Sequence, residues 1–252
     1  YWGMEHQTMI AYGNDYKNNE KGYDFLLFHE MSHEWWGNYL SVSDWADLWI
    51  HEGFAVYTEA LYLEEKYGID EYNKFFRKKI IKKIPLNQSI VPHRNATIEN
   101  VSGLDPYNKG AYVLHMLRYL IGDEKFFEIL SEFLYSKKKL PNNQVTTKDF
   151  IDLVHLNIEN KIDWFFKTYL YEKDYPVLIQ KTKHGSNHTF IDLYWENKNF
   201  SMPVEVYYNS NTGLRQRKLS LTNKPTMIAI PHHNKIKIDP NRKILLTVKN
   251  KS

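Results

Sequence analysis

The 252 residues, 42% hydrophobic and 25% charged, suffice for the core of one large domain or of a medium domain with a small one, and exclude a short peptide or a disordered tail. A total of 33 Lys and Arg against 30 Asp and Glu gives a formal charge of +3, interleaved along the chain and not gathered into a basic arm, so nucleic acid is not an expected partner. The absence of cysteine excludes disulfides, thiolate zinc ligands and cysteine nucleophiles together.

The chain opens at Tyr1, without an initiator Met, in what reads as a strand and turn over Tyr1-Trp2-Gly3-Met4-Glu5-His6; a fragment or processed form is expected. No stretch approaches the roughly 18 to 20 apolar residues that span a bilayer, so this segment is not expected to insert in a membrane. The compartment stays open between cytoplasm and periplasm or secretion. From Tyr23 to about Tyr39, Phe25, Phe28, Met31, Trp35, Trp36 and Tyr39 recur at helical spacing and predict a buried helix. A second helix is expected from near Leu48 through Tyr67, carrying Phe54, Tyr57, Ala60, Leu61 and Leu63 and stopping at Gly68. Asp70 reads as the cap of a third helix reaching the Lys-rich stretch before Pro85. Residues 85–103 lack a sustained period and read as a long loop.

Asp105-Pro106 opens a further helix lined by Tyr112, Leu114, Leu117, Tyr119 and Leu120 and ended by Gly122. Asp123 starts another, to about Ser136; Lys137-Lys138-Lys139 then sits in a loop ended by Pro141, and Thr146 or Thr147 caps the next helix. After Pro176 the texture changes to short alternating segments, beginning near Val177, Thr189, Met202, Arg217, Thr226, Lys235 and Ile244. The predicted class is α+β: a mainly helical domain over 1–174 and a small antiparallel β-sandwich over 175–252.

The chemistry concentrates on the first helix. His29-Glu30-Met31-Ser32-His33 is an HExxH pattern, in which residues four apart differ by only about 40° and both imidazoles project from one face. They can share one zinc. Glu30 lies about 100° round, where a carboxylate stands beside the metal's water as a general base instead of ligating it. A catalytic zinc needs a third protein ligand and one open position, and Glu52, in Trp49-Ile50-His51-Glu52-Gly53-Phe54, follows an 18-residue spacer. The alternative is a pair of hydrogen-bonded core histidines, but two His and two Glu buried together are costly without a cation. Glu59, about 20° from Glu52 on the same helical face, is placed either to hydrogen-bond a zinc-binding His or to be a solvated surface Glu. His51 points elsewhere and reads as structural; His232 and His233 lack partners at ligand spacing.

His29-Glu30-Met31-Ser32-His33-Glu34-Trp35-Trp36-Gly37-Asn38 and Trp49-Ile50-His51-Glu52-Gly53-Phe54-Ala55 together resemble the gluzincin zinc aminopeptidases of the M1 family. Gly3-Met4-Glu5-His6 resembles that family's GxMEN exopeptidase motif, and Tyr107-Asn108-Lys109-Gly110-Ala111 the segment carrying its catalytic tyrosine. The resemblance covers Trp2 to about Leu120. It implies a thermolysin-like catalytic domain with one Zn2+ per chain on His29, His33 and Glu52, Glu30 as base and Tyr107 as oxyanion donor. It further implies that Glu5 recognises the free ammonium of peptide substrates, with Gly3 and Met4 on the strand along which the substrate lies. His6 departs from the family pattern, which has Asn there. The family's N-terminal β domain would precede Tyr1, as a partner within the parent chain. Three alternatives stand beside this one: a zinc-binding fragment without efficient catalysis, a glycyl-aminopeptidase-like relative and an epoxide-hydrolase-like relative.

Overall fold

The computed structural model describes residues 2–85, 88–135, 141–232 and 234–251. The expectations for Tyr1, Ser136, the run Lys137 to Lys139 and His233 lie outside them. The chain divides into two compact units, Tyr1–Ile162 and Asp163–Ser252. It is mixed helix and strand, and no helix among the described residues is long and apolar enough to cross a membrane.

In the first unit, strand β1 (Gly3–Met4) pairs antiparallel with β2 (Ala11–Tyr12), and helix α1 (Phe25–Ser32) follows. Asp24 caps α1, accepting from the amides of Leu26 and Leu27 at 3.1 and 3.2 Å, and it also receives the hydroxyl of Tyr12, which ties β2 to the helix start. The helix is shorter than the predicted run to Tyr39. Beyond Ser32 the amides of Asn38, Tyr39 and Leu40 reach back to the carbonyls of His33, Glu34 and Trp35, each five residues earlier, so the chain widens into turns. The Trp36 carbonyl is occupied by the His33 imidazole.

Strand β3 (Ser41–Val42) and a 3-10 turn at Trp45–Asp47 lead into α2 (Trp49–Tyr67), which ends at Gly68. Helix α3 (Ile69–Lys74) begins directly after Gly68, so Asp70 lies in its first turn and is not its cap; the amide of Tyr72 bonds the Gly68 carbonyl. The helix continues as a π-helical turn over Phe75–Ile80. The expected loop 85–103 contains a short helix α4 (Ile98–Val101), started by a capping box between Thr97 and Asn100. Helix α5 (Asn108–Ile121) is opened by Asp105, whose carboxylate accepts from the Asn108 amide at 2.8 Å. Then follow α6 (Asp123–Tyr135), β4 (Gln144–Val145), which pairs parallel with β3, and α7 (Thr147–Asn157), capped by Thr146 and Asp149.

Helices α2, α5, α6 and α7 enclose the core. Trp49, Phe54, Phe133 and Phe150 pack ring on ring, with centroids 5.0 to 6.0 Å apart. Each such burial contributes roughly 1.5–3 kcal/mol. Arg118 of α5 grips Glu64 of α2 with two nitrogens and Asp123 with two more contacts, locking the helix ends together. At the centre of the α2–α5 crossing, Gly53 meets Gly110: a Cβ on Gly53 would stand 2.8 Å from the Gly110 backbone.

The second unit begins with α8 (Asp163–Phe166) and a π-helical turn, then carries seven strands: β5 (Val177–His184), β6 (His188–Trp195), β7 (Pro203–Ser210), β8 (Gly213–Ser220), β9 (Thr226–Pro231), β10 (Ile236–Ile238) and β11 (Thr247–Lys251). They form a three-stranded sheet, β10-β7-β8, and a four-stranded one, β11-β5-β6-β9. Along β6 alternate residues Thr189, Ile191, Leu193 and Trp195 are buried, the period-2 signal that marks these segments in the sequence. The unit is not purely antiparallel, because β11 pairs parallel with β5. The last strand also starts later than expected: Ile244 and Leu245 are buried before it, and the Ile244 amide is taken by Asp239.

The glycine crossing predicts a specific sensitivity. Gly110→Ala should lower the urea unfolding midpoint, with a destabilisation of about 1–3 kcal/mol, the range for overpacking a closed contact; an unchanged midpoint would mean that the two helices separate at no cost.

Candidate metal centre and cleft

The first turn of α2 and the end of α1 bring His29, His33 and Glu52 together. The Nε2 atoms of His29 and His33 are 3.2 Å apart, and each lies 3.5 Å from the same oxygen of Glu52, Oε2. The opposite ring nitrogens are engaged: Nδ1 of His29 meets Glu59 at 3.0 Å, and Nδ1 of His33 donates to the Trp36 carbonyl at 2.9 Å. With both Nδ1 atoms used as donors, neutral imidazoles present two lone pairs to each other and to a carboxylate oxygen that itself has no hydrogen-bond partner. Three donor atoms, two of them on buried residues, facing one point repel unless a cation lies between them. Two imidazoles and one carboxylate suit zinc, with a fourth position left for water. The residues present fit that ion.

The charges agree with this. Burial alone would lower the His29 pKa, but the carboxylates of Glu52 and Glu59 outweigh it and raise the value to about 10. Burial would raise Glu52, yet the two histidines and Tyr107 hold it down at about 2. Without an ion, a proton on His29 takes the place of that cation, so the lone-pair arrangement above is the one an ion would meet after displacing it. Glu59 also approaches Lys79 on the π-helical turn, at 3.8 Å.

Glu30 does not point into the three-atom focus. Its carboxylate lies beside it, within 4.8 Å of ligand atoms of Glu5 and His33. Burial raises its pKa, and the carboxylates of Glu5 and Glu52 add to this against the opposing pull of the two histidines, which makes it a better proton acceptor than a solvated Glu. Gly3 of β1 sits against it so closely that a Cβ there would overlap the carboxylate. Tyr107, at the N-terminus of α5, stacks near His29 with ring centroids 6.3 Å apart. Its hydroxyl faces Glu52, and burial with that carboxylate pushes the phenol far above its ordinary value, so it keeps its proton.

A cleft of about 840 Å³ gathers these groups, with Gly3, Met4, Glu5 and His6 along one side and Tyr107 in its lining. His6 is exposed there. His51 accepts a hydrogen bond from the Val42 amide at 3.1 Å; burial and the neighbouring His33 lower its pKa to about 4, so it stays a neutral acceptor that anchors β3. Two contacts at the site have no sequence signal. Asn38 donates to the Glu5 carbonyl at 3.0 Å and so ties the turn after the HExxH helix to the strand carrying Glu5, and Lys79 approaches Glu59 from 20 residues away. Only a count of unfilled backbone groups on the Glu5 strand could have pointed to the first.

The sequence matches the description "Peptidase family M1 domain" over residues 3–169. Endoplasmic reticulum aminopeptidase 2 of Homo sapiens is 33% identical over 125 residues, which cover 45% of this chain and 13% of that protein. Glutamyl aminopeptidase of Sus scrofa is 28% identical over 234 residues, covering 85% and 24%. In fold, the chain resembles the Legionella pneumophila aminopeptidase A solved in complex with aspartic acid, with a TM-score of 0.68, 17% identity, and 89% of this chain and 26% of that one covered. The chain therefore spans about a quarter or less of these relatives.

Because metal-free His29 holds its proton up to about pH 10, an ion entering the cluster must expel it. Zinc uptake at pH 8 should release about one proton or more, and the apparent affinity should rise roughly tenfold per pH unit between pH 7 and 9 for each proton released. Calorimetry in buffers of different ionisation enthalpy measures this; a pH-independent affinity would remove His29 from the ligand set.

Proposed function

The chain belongs to peptidase family M1, and from that premise we propose that it carries the catalytic centre of a zinc aminopeptidase acting on the free N-terminus of peptides. We also propose that its two C-terminal sheets form the small β-sandwich that follows such a domain. The observation that carries the functional proposal is the convergence, in one cleft, of the His29–His33–Glu52 cluster with Glu30, Tyr107 and Glu5.

Zinc on His29, His33 and Glu52 would polarise the scissile carbonyl and acidify the attacking water. Glu30, beside the cluster and with a raised pKa, accepts the proton of that water and passes it towards the leaving amine. Tyr107 keeps its proton and donates it as a hydrogen bond to the oxygen on which charge develops. Glu5 pairs with the substrate ammonium, which places the scissile bond one residue from the N-terminus. Glu59 orients the His29 ring and raises its basicity as a ligand. Met4 lies along the same edge as Glu5, and Gly3 leaves room for the Glu30 carboxylate.

Two experiments test this assignment. Glu30→Gln should retain stoichiometric zinc and lose nearly all turnover of an aminoacyl amide, while Tyr107→Phe should keep zinc and lose about two to three orders of magnitude in kcat. Loss of zinc in either variant, or a Tyr107→Phe change confined to KM, would refute the role given to that residue. The exopeptidase claim is read separately. N-acetylated peptides should be refused, and Glu5→Ala should lose about 2–5 kcal/mol of kcat/KM toward free-amine substrates; equal cleavage of blocked and free peptides would leave a zinc hydrolase that is not an aminopeptidase.

A further inference from the structure

The segment after Arg94 plays no part in the chemistry described above, yet it is braced with buried charge. Asp44, almost wholly buried, accepts from the amides of Ala46 at 2.9 Å, Asn95 at 2.6 Å and Ala96 at 3.1 Å. The Arg94 guanidinium lies 3.4 Å from Asp44 and is also paired with the fully buried Asp47, which in turn accepts from the Thr147 amide at 3.0 Å. Ala46, Ala96 and Val101 pack together beneath, with Leu48 and Leu104 against them. These bonds sew the stretch 94–101 onto the 3-10 turn at 45–47. An unpaired carboxylate at Asp44 or Asp47 would be expensive, so the arrangement is held firmly.

What this frame presents outward is Trp45 and Ile98. Trp45 is 47% exposed and Ile98 is 55% exposed, and both line the cleft. A single exposed apolar side chain needs no explanation. Two of them on mutually braced segments, both turned to the cavity that holds the candidate metal cluster, form a wall. Among the described lining residues the carboxylates are Glu5, Glu30, Glu52 and Asp44, the last already paired with Arg94, and positive charge is confined to the histidine cluster, since none is Lys or Arg. Away from the His29–His33 cluster, an acidic side chain brought against Trp45 and Ile98 would lose water and find no Lys or Arg among the described lining residues to pair with.

We propose that Trp45 and Ile98 are specificity-determining residues, forming an apolar wall that takes a large hydrophobic side chain flanking the scissile bond, in a cleft that discriminates against acidic residues at that position. The inference rests on the assignment of the cleft as an aminopeptidase site and adds its substrate class. It sets this chain apart from what the word "glutamyl" in one relative's name, or the bound aspartic acid of the similar structure, would suggest.

The test uses the zinc-loaded protein and three peptide amides, Leu-Leu, Glu-Leu and Leu-Glu. Replacing Leu by Glu should reduce kcat/KM by about 10–200-fold at one of the two positions, which identifies the residue that the wall meets. Ile98→Lys should narrow that gap at least about tenfold, whereas Ile98→Leu should preserve it; Trp45→Lys serves as the second charge insertion should the first variant fold poorly. Acidic and apolar peptides cut equally well, or a gap that neither lysine variant changes, would overturn the proposal. If none of the three peptides is hydrolysed, the aminopeptidase assignment itself fails. The wall is then judged by calorimetry with the hydroxamates of leucine and glutamic acid: tighter binding of the leucine compound upholds it, and equal binding, or none, overturns it.

Discussion

Where α2 crosses α5 the backbones of Gly53 and Gly110 are in contact, and the candidate active site is built outward from that point. Glu52 precedes Gly53 by one residue, and Tyr107 precedes Gly110 by three. The separation of the two helix axes therefore fixes how near the phenol comes to the Glu52 carboxylate of the candidate metal cluster. A side chain at either glycine would push the helices apart and open the site at its narrowest point. Trp49 and Phe54, on the same stretch of α2, pack against Phe150 of α7 and supply apolar burial next to the crossing. The Arg118 clamp on Glu64 and Asp123 fixes the far end.

A second feature of the unit is that several buried carboxylates have well-defined partners. Asp47 has Arg94 and the Thr147 amide, Asp44 has three amides, and Glu59 has His29 with Lys79 near by. Glu52 Oε2, like Asp105 Oδ2, has no hydrogen-bond partner among the described residues, and it faces two imidazole nitrogens at 3.5 Å. Burying such a group without a partner costs about 1–3 kcal/mol or more, and the rest of the unit shows that the fold can provide partners where it needs them. Set against the satisfied carboxylates around it, Oε2 with its two facing imidazoles is where a cation would be accommodated.

The sequence made the metal-ligand spacing legible because that spacing is local: four residues on one helix and a carboxylate at the start of the next. Helix ends were legible for the same reason, through Gly68, Gly122 and a cap at Thr146 or Thr147, which the structure assigns to Thr146. What it did not disclose is set by contacts across long separations or by backbone hydrogen bonds of unusual reach. Aromatic periodicity continues through Trp35, Trp36 and Tyr39, but the helix has already opened at His33 because the Trp36 carbonyl serves an imidazole. The brace from Asp44 to Asn95 and Ala96 spans about fifty residues, so the region 85–103 reads as a loop although its second half is pinned. The parallel partner of β5 is the last strand of the chain, a pairing that alternation alone cannot distinguish from an antiparallel one.

The departure at His6 acquires a physical setting from these contacts. Glu5 directly follows β1 and Glu30 lies on α1, and their closeness depends on Gly3, which lacks the Cβ that would collide with the Glu30 carboxylate, and on Asn38, which holds the Glu5 carbonyl. The strand carrying Glu5 is thus fixed at two points, one before and one at the anchoring residue. His6 lies just beyond, exposed in the cleft, where its carbonyl accepts from the Met9 amide and its ring is free of the constraints on Gly3 and Glu5. A change of side chain at His6 therefore leaves the spacing between Glu5 and Glu30 undisturbed, because that spacing is set by Gly3 and Asn38.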